Sequence, residues 1–324
     1  KGDRGMSFTS ANPAKASLDD FKSIMESVVE DGTTVLKNFA IGDLTTLRTG
    51  GRADLFVEPN TYQDLSALIK VCNEYDLPVT ILGLGSNFLV VESGVRGLTV
   101  RLSNKHFTAI KTTKGNRIRC GAGARMKKVA IEAKSNCLSG MEFLEGIPGA
   151  IGGGLRMNAG AWGREMFDII ETINYMDMHG NMFEIEKKDV DFSYRSCSFL
   201  QNNIAIEAVL FGQPASHETI AEKMASYSQK RWKAQPKARS AGCIFKNPDS
   251  ISAGQLIDEL GFKGTTEGGA MVSEEHGNFI VNKGGATPGD FLKLIERIRQ
   301  RAYEKRGVDL KTEVQIIGRV ENNE

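Results

Sequence analysis

A chain of 324 residues, 40% apolar and 25% charged, is long for one hydrophobic core and suits two or three lobes. A formal net charge of +1 argues against a nucleic-acid or membrane partner held by bulk electrostatics, and no stretch approaches the roughly 20 apolar residues that span a bilayer. The five cysteines (Cys72, Cys120, Cys137, Cys197, Cys243) are odd in number and form no C-x-x-C pair, which argues against zinc or redox-pair chemistry and fits a reducing cytoplasm. No metal is expected. Lys1–Gly5 are charged with no apolar run behind them, so no secretory signal is expected. Met6 reads as the natural start, with the five residues before it as a vector remnant.

The pattern predicts a helix over 17–30, with Leu18, Phe21, Ile24, Met25 and Val28 at helical spacing. The paired glycines at 50–51 end a polar turn. A strand over 54–58, a helix over 61–75 and a strand over 78–82 form a unit of the βαβ kind. Short strands follow to 118, then a helix over 126–134 and a glycine-rich stretch over 140–163. Strand alternation returns over 169–193 with a turn at 179–181, followed by a strand over 204–211. A charged helix over 218–233 leads into a basic loop over 236–241. Helices over 254–260 and 288–306 and a strand over 313–317 complete the chain. Blocks rich in strand alternate with blocks rich in helix, which predicts an α+β protein of several lobes.

Glycine is the compositional outlier, with 35 residues gathered into clusters. In Gly83-Leu84-Gly85-Ser86-Asn87, directly after a strand, glycines allow close backbone approach and successive N–H groups suit an anion such as a pyrophosphate. Ser86 and Asn87 add side-chain hydrogen bonds. A tight turn without a ligand explains the same residues. The second cluster, Gly146-Ile147-Pro148-Gly149-Ala150-Ile151-Gly152-Gly153-Gly154 followed by 157–163, suits backbone pressed on a flat ligand; a glycine-rich packing loop is the alternative. Neither cluster is the G-x-G-x-x-G of a dinucleotide fold, and no P-loop is present.

Seven segments in order resemble the bacterial UDP-N-acetylenolpyruvoylglucosamine reductases. They are LRTGGRAD (47–54), LGLGSNFLV (82–90), GIPGAIGGG (146–154), MNAGAWG (157–163), YRSCSF (194–199), GCIFKNP (242–248) and EVQIIG (313–318). The resemblance implies a three-lobed α+β flavoprotein with a vanillyl-alcohol-oxidase-like (PCMH-type) FAD-binding fold and a C-terminal substrate lobe. The implied lobes are 16–83 joined by a strand over 314–320, then 84–222, then 223–313. In the family NADPH reduces FAD, and the reduced flavin passes hydride to the enolpyruvyl double bond of a UDP-sugar, giving UDP-N-acetylmuramate for peptidoglycan. The chain is similar to the shorter second type, because 254–281 leaves no room for a long insertion. Histidine is absent near both glycine clusters, so FAD is expected to be non-covalent. A small nucleotide-sugar partner and a monomer or weak dimer are expected.

The resemblance assigns Arg195 as the catalytic arginine, suited to gripping a carboxylate on which charge builds, and Glu313 as a substrate-activating acid. Without it, Arg195 reads as a surface residue beside a strand and Glu313 as a strand end facing solvent. The family's proton donor is the Ser of G-S-[VF]-F; here the motif is Gly242-Cys243-Ile244-Phe245. A thiol, with a pKa of about 8.5, is a stronger acid than an alcohol, so Cys243 is expected to donate the proton. A small, inert, buried cysteine is the other reading. The implied cofactor residues are Arg48, Gly83, Gly85, Ser86, Asn87, Phe88, Gly146, Ile147, Pro148, Gly149, Gly152, Gly153, Asn158, Gly160 and Arg231. Tyr194, Lys233 and Asn247 are the implied substrate contacts. The family often has a lysine two residues before the loop proline, where this chain has Ala234, with Lys233 one place earlier. His276 is read as structural. The other readings are a hydroxy-acid or sugar oxidase of the same cofactor fold, or a non-catalytic nucleotide-sugar-binding protein.

Overall fold

The computed structural model describes residues 17–318. Met6, the residues before it, the first residue of the expected first lobe and the last two of the expected C-terminal strand lie outside this range. Helix ends follow local chemistry. Ser17 and Thr61 each form a capping box, with Asp20 and Asp64 respectively, at the starts of helices Leu18–Val28 and Tyr62–Glu74. Helix Pro288–Arg306 has all of the sequence-level signals: Thr287 as N-cap boxed with Asp290, Pro288 in the first turn, and Gly307 in the left-handed conformation at its end.

The first sheet orders its strands as Thr34–Ala40, Arg52–Glu58, Val95–Arg101 and Val79–Leu82. The first pair is antiparallel and the rest are parallel. The expected βαβ unit is therefore present, but its two strands are separated by Val95–Arg101. This corrects the expected lobe boundary at 83, because the sheet needs a strand from beyond it. The C-terminal strand Gln315–Ile317 pairs in parallel with Phe88–Val90 instead of joining the four-stranded sheet.

A second sheet is antiparallel, in the order Met182–Glu186, Ile170–Asp177, Asn203–Phe211, Arg117–Gly121 and Ile110–Thr113. Helix His217–Ala234 buries Ile220 and Met224 in the hydrophobic cluster that this sheet shares with the first. An expected boundary at 222/223 would cut that helix, so the second unit runs to its end. A separate cluster, containing Ala241, Ile244, Phe245, Phe291 and Ile298, lies under the antiparallel sheet Arg239–Cys243, Phe279–Asn282, Ala270–Val272 and Thr266–Glu267. The expected basic loop over 236–241 is in part the first strand of this sheet. Among the described residues no helix is long and apolar enough to cross a membrane.

Candidate active site

A cleft of about 720 Å³ opens between these units and falls within the size range of small-molecule sites. The two glycine clusters form part of its wall. Gly83, Gly85, Ser86, Asn87 and Phe88 line it from the first, and Ile147, Pro148, Gly149, Gly152, Gly153 and Gly160 from the second. The two loops are tied together, since the Ser86 hydroxyl donates to the Pro148 carbonyl at 2.7 Å. Gly85 is held at φ +64°, where a Cβ would lie 2.6 Å from the Leu44 carbonyl oxygen. No side chain fits there.

The segment Ile151–Arg156 is a short helix despite its three glycines. Close packing explains two of them. A Cβ on Gly152 would lie 3.0 Å from Ala122 Cβ, and one on Gly154 2.9 Å from Met126 Sδ. Gly153 and Gly83 differ: beyond the adjoining chain, no protein atom lies within 4 Å of a Cβ at either position, and both line the cleft. Their backbone is bare toward the open space, a cradle that a side chain would fill. This fits a large, flat, closely apposed group such as FAD.

The cleft is rich in cations. Arg101, Arg125, Lys128 and Arg156 line it together with Arg195, while Glu313 supplies a carboxylate. Among the described residues no carboxylate lies within ion-pair distance of Arg125, Lys128 or Arg156. Burial pushes the Arg156 pKa below its ordinary value. Unpaired cations in a cleft favour phosphate-bearing ligands. The motif reading missed these residues. A signal was present, however, because helix Met126–Ser135 opens with cations and has no acidic residue in its first turn, against the preference of the helix dipole.

Three side chains converge on the cleft from separate segments. Arg195 stands at the tip of a two-residue hairpin between Phe192–Ser193 and Ser196–Cys197. Its φ of +55° is rare for a residue with a Cβ, and such strain concentrates at functional sites. Its Nε donates to Glu313 Oε1 at 3.1 Å and its Nη2 to the Gly160 carbonyl at 2.9 Å. Glu313 precedes the strand Gln315–Ile317, and Asn87 Nδ2 donates to its carbonyl at 3.0 Å. Burial raises the Glu313 carboxyl's pKa, although Arg195 and Lys246 pull it down. Cys243 ends the strand Arg239–Cys243 and is half-buried. Burial and then the Glu313 carboxylate push its thiol up to about 12, against the opposing pull of Arg195 and the Asn278 carboxamide. It is therefore a neutral, proton-bearing thiol near pH 7.

Other expected residues lie elsewhere. Asn158 is buried, with Nδ2 donating to the Ser193 carbonyl at 3.1 Å and Oδ1 accepting from the Phe167 amide at 3.3 Å. It holds the loop leading to Gly160 and does not line the cleft. Asn247 accepts from the Ala253 amide at 3.0 Å, fastening the start of a helix. Arg48 is exposed, and its guanidinium donates to the Asp43 carbonyl. Arg231 is half-buried; its Nε donates to Gln235 at 3.3 Å and its guanidinium lies over Trp232. Lys233 is exposed on the same helix, outside the cleft lining. Tyr194 is exposed beside Arg195, whose guanidinium stacks on its ring. Gly146 sits against the Trp162 indole instead of the cleft.

Residues 235–317 match the family described as UDP-N-acetylenolpyruvoylglucosamine reductase, C-terminal domain, and residues 53–186 match the FAD binding domain family. The first match begins where helix His217–Ala234 ends, in line with the packing of that helix on the second unit. A UDP-N-acetylenolpyruvoylglucosamine reductase of Clostridium novyi (strain NT) is 36% identical over 308 residues, covering 94% of this chain and 98% of that protein. One from Wolbachia sp. subsp. Brugia malayi (strain TRS) is 38% identical over 277 residues, 85% and 92% of the two chains. The crystal structure of the Thermus caldophilus UDP-N-acetylenolpyruvylglucosamine reductase aligns with a TM-score of 0.76 at 35% identity, covering 88% of this chain and 99% of that one. The chain is an α+β, FAD-dependent oxidoreductase, and it belongs to the UDP-N-acetylenolpyruvoylglucosamine reductase family.

Proposed function

We propose that this protein reduces UDP-N-acetylglucosamine enolpyruvate to UDP-N-acetylmuramate in the cytoplasm, as a step of peptidoglycan precursor synthesis, with NADPH as the reductant. The observation that carries the reading is the convergence of Arg195, Glu313 and Cys243 on one glycine-lined, cationic cleft. Non-covalent FAD, when bound, supplies hydride transfer; the bare backbone at Gly83 and Gly153 and the unpaired cations are the residues that would hold it.

Hydride addition to an enol ether conjugated to a carboxylate drives negative charge onto that carboxylate. Arg195 is placed to bind it, and its guanidinium gains most where charge is building. Glu313 holds that guanidinium at 3.1 Å and fixes its orientation. The adjacent carbon then needs a proton, and the Cys243 thiol carries one. Lys246, outside the cleft lining, is close enough to Glu313 to oppose the rise that burial imposes on its pKa. Segment 254–281, folded here into one helix and three short strands, is compatible with the shorter family type.

The test is anaerobic. The yellow holoenzyme should bleach with NADPH, and its colour should return on adding the enolpyruvyl sugar nucleotide. Bleaching by a hydroxy acid or free sugar instead of NADPH would point to an oxidase of the same cofactor fold. A colourless protein that binds the nucleotide sugar would point to a binding role.

A further inference from the structure

The strand that carries Cys243 enters the cleft irregularly. Ser240 pairs with Val281 and Cys243 with Phe279, so the register shifts between them. This is a β-bulge, and Gly242 within it has φ +77° with open space where a Cβ would be. A bulge re-aims the side chains that follow it. Cys243 lines the cleft, while Ile244 and Phe245 are buried in the third unit.

A bulge also interrupts the ladder, and the backbone groups beyond it need other partners. Asn278 supplies them. Its Oδ1 accepts from the Phe245 amide at 2.9 Å, and its Nδ2 donates to the Phe245 carbonyl at 2.8 Å. Its own carbonyl accepts from the Ile244 amide at 2.8 Å. The side chain is buried, and the Asn278 backbone amide donates to His276 Nδ1 at 3.1 Å. The Ile244 carbonyl in turn accepts from the Glu313 amide at 2.8 Å, and the Glu313 carbonyl accepts from Asn87 Nδ2 at 3.0 Å. One carboxamide thus heads a run of hydrogen bonds through the thiol segment, the acid segment and the first glycine loop.

We infer that Asn278 is a positioning residue that sets Cys243 and Glu313 at the cleft wall for the substrate half of the reaction. The inference rests on the reading of those two residues given above. A carboxamide pairs one donor and one acceptor with a single residue's backbone. Aspartate has the same shape but lacks the donor and turns a lone pair toward the Phe245 carbonyl. The carboxamide also acts on the thiol itself, opposing the rise that burial imposes.

Asn278→Asp and Asn278→Gln would be compared with wild type as FAD-loaded enzyme. Bleaching by NADPH should stay within about threefold, since the Asn278 carboxamide bonds to the Phe245 backbone and not directly to either glycine loop. Colour recovery with the enolpyruvyl sugar nucleotide should fall about 10²-fold, the loss expected from a misplacement of about 1 Å, with KM changed little. A second readout needs no cofactor: alkylation of Cys243 by iodoacetamide in the apoprotein, followed by peptide mass spectrometry, should change several-fold in rate. Unchanged recovery and unchanged alkylation, whatever the melting temperature, would overturn the proposal. Loss of a cooperative melt in both variants would overturn it too, making Asn278 a folding residue. Cys243→Ala separates the two ideas. If that variant turns over normally, the acid reading fails, and Asn278 is judged on alkylation alone.

Discussion

Arg195 Nε and Glu313 Oε1 lie 3.1 Å apart although 118 positions separate the two residues in the chain. The pair joins a hairpin tip of the second unit to the segment that returns from the third, and both residues line the cleft that also contains Cys243. A pair built this way fixes the guanidinium at the cleft wall through two of its nitrogens. Nη2 is bound in this way by the Gly160 carbonyl at 2.9 Å.

Arg195→Lys keeps the charge but loses the planar fork that grips both Glu313 and a carboxylate. Recovery of colour with the sugar nucleotide should slow by about 10²–10³-fold, the range for losing one charge-stabilising donor. Bleaching by NADPH should persist. Rapid mixing of each half-reaction reads both, and equal loss in the two halves would argue that Arg195 serves the fold instead of the substrate.

With its thiol pushed up to about 12, Cys243 stays protonated across the working range. The substrate half-reaction should therefore be insensitive to thiol ionisation from about pH 6 to 9, whereas an ordinary thiol with pKa about 8.5 would cost half the rate near that value. Cys243→Ser should retain turnover and Cys243→Ala should stall it after flavin reduction. A pH profile falling around 8.5 in wild type but not in the serine variant would contradict the protonated-thiol account.

Gly153→Ala should separate stability from binding. The new methyl meets no protein atom beyond the adjoining chain and sits in a helix, where alanine is favoured over glycine by about 1 kcal/mol. The apoprotein should melt no lower than wild type, while FAD affinity, read by quenching of flavin fluorescence, should fall by about tenfold or more, or about 1.4 kcal/mol. Gly154→Ala should do the reverse and lower the melt, because its methyl would lie 2.9 Å from Met126 Sδ. Unchanged FAD affinity in Gly153→Ala would remove that glycine from the cradle.

Asp64 gives a stability test far from the cleft. Its buried carboxylate accepts from the Glu30 amide at 2.9 Å, the Thr33 hydroxyl at 2.8 Å and the Thr61 amide at 3.0 Å. Burial raises its pKa, but these hydrogen bonds outweigh that and hold it below the ordinary value. A depressed folded-state pKa stabilises the protein above the unfolded-state value and is lost as pH falls. Asp64→Asn should cost about 1–3 kcal/mol in urea unfolding at pH 7. The gap to wild type should shrink as pH falls through the ordinary value of 3.8. A gap that does not change with pH would show that charge is not the source.

Helix ends and local elements were legible in the sequence because their causes are short-range. Thr287, Pro288, Asp290 and Gly307 delimit one helix within a few residues of each end, and Thr61 with Asp64 opens another. The seven motifs likewise carried the family and most of the cleft wall, since each is a continuous segment whose chemistry travels with it. Tertiary structure alone decided what depends on distant partners. The strand Val95–Arg101 enters between the two strands of the βαβ unit, a register no local pattern specifies. Asn158 lies inside a ligand-like motif, yet its carboxamide is bound by the backbone of Ser193 and Phe167, so it supports the loop instead of facing the cleft. Asn278, unremarkable in the chain, binds both backbone groups of Phe245 just beyond a bulge between Ser240 and Cys243. Residue type sets which hydrogen bonds a side chain can make; the packing of remote segments decides which of them it makes.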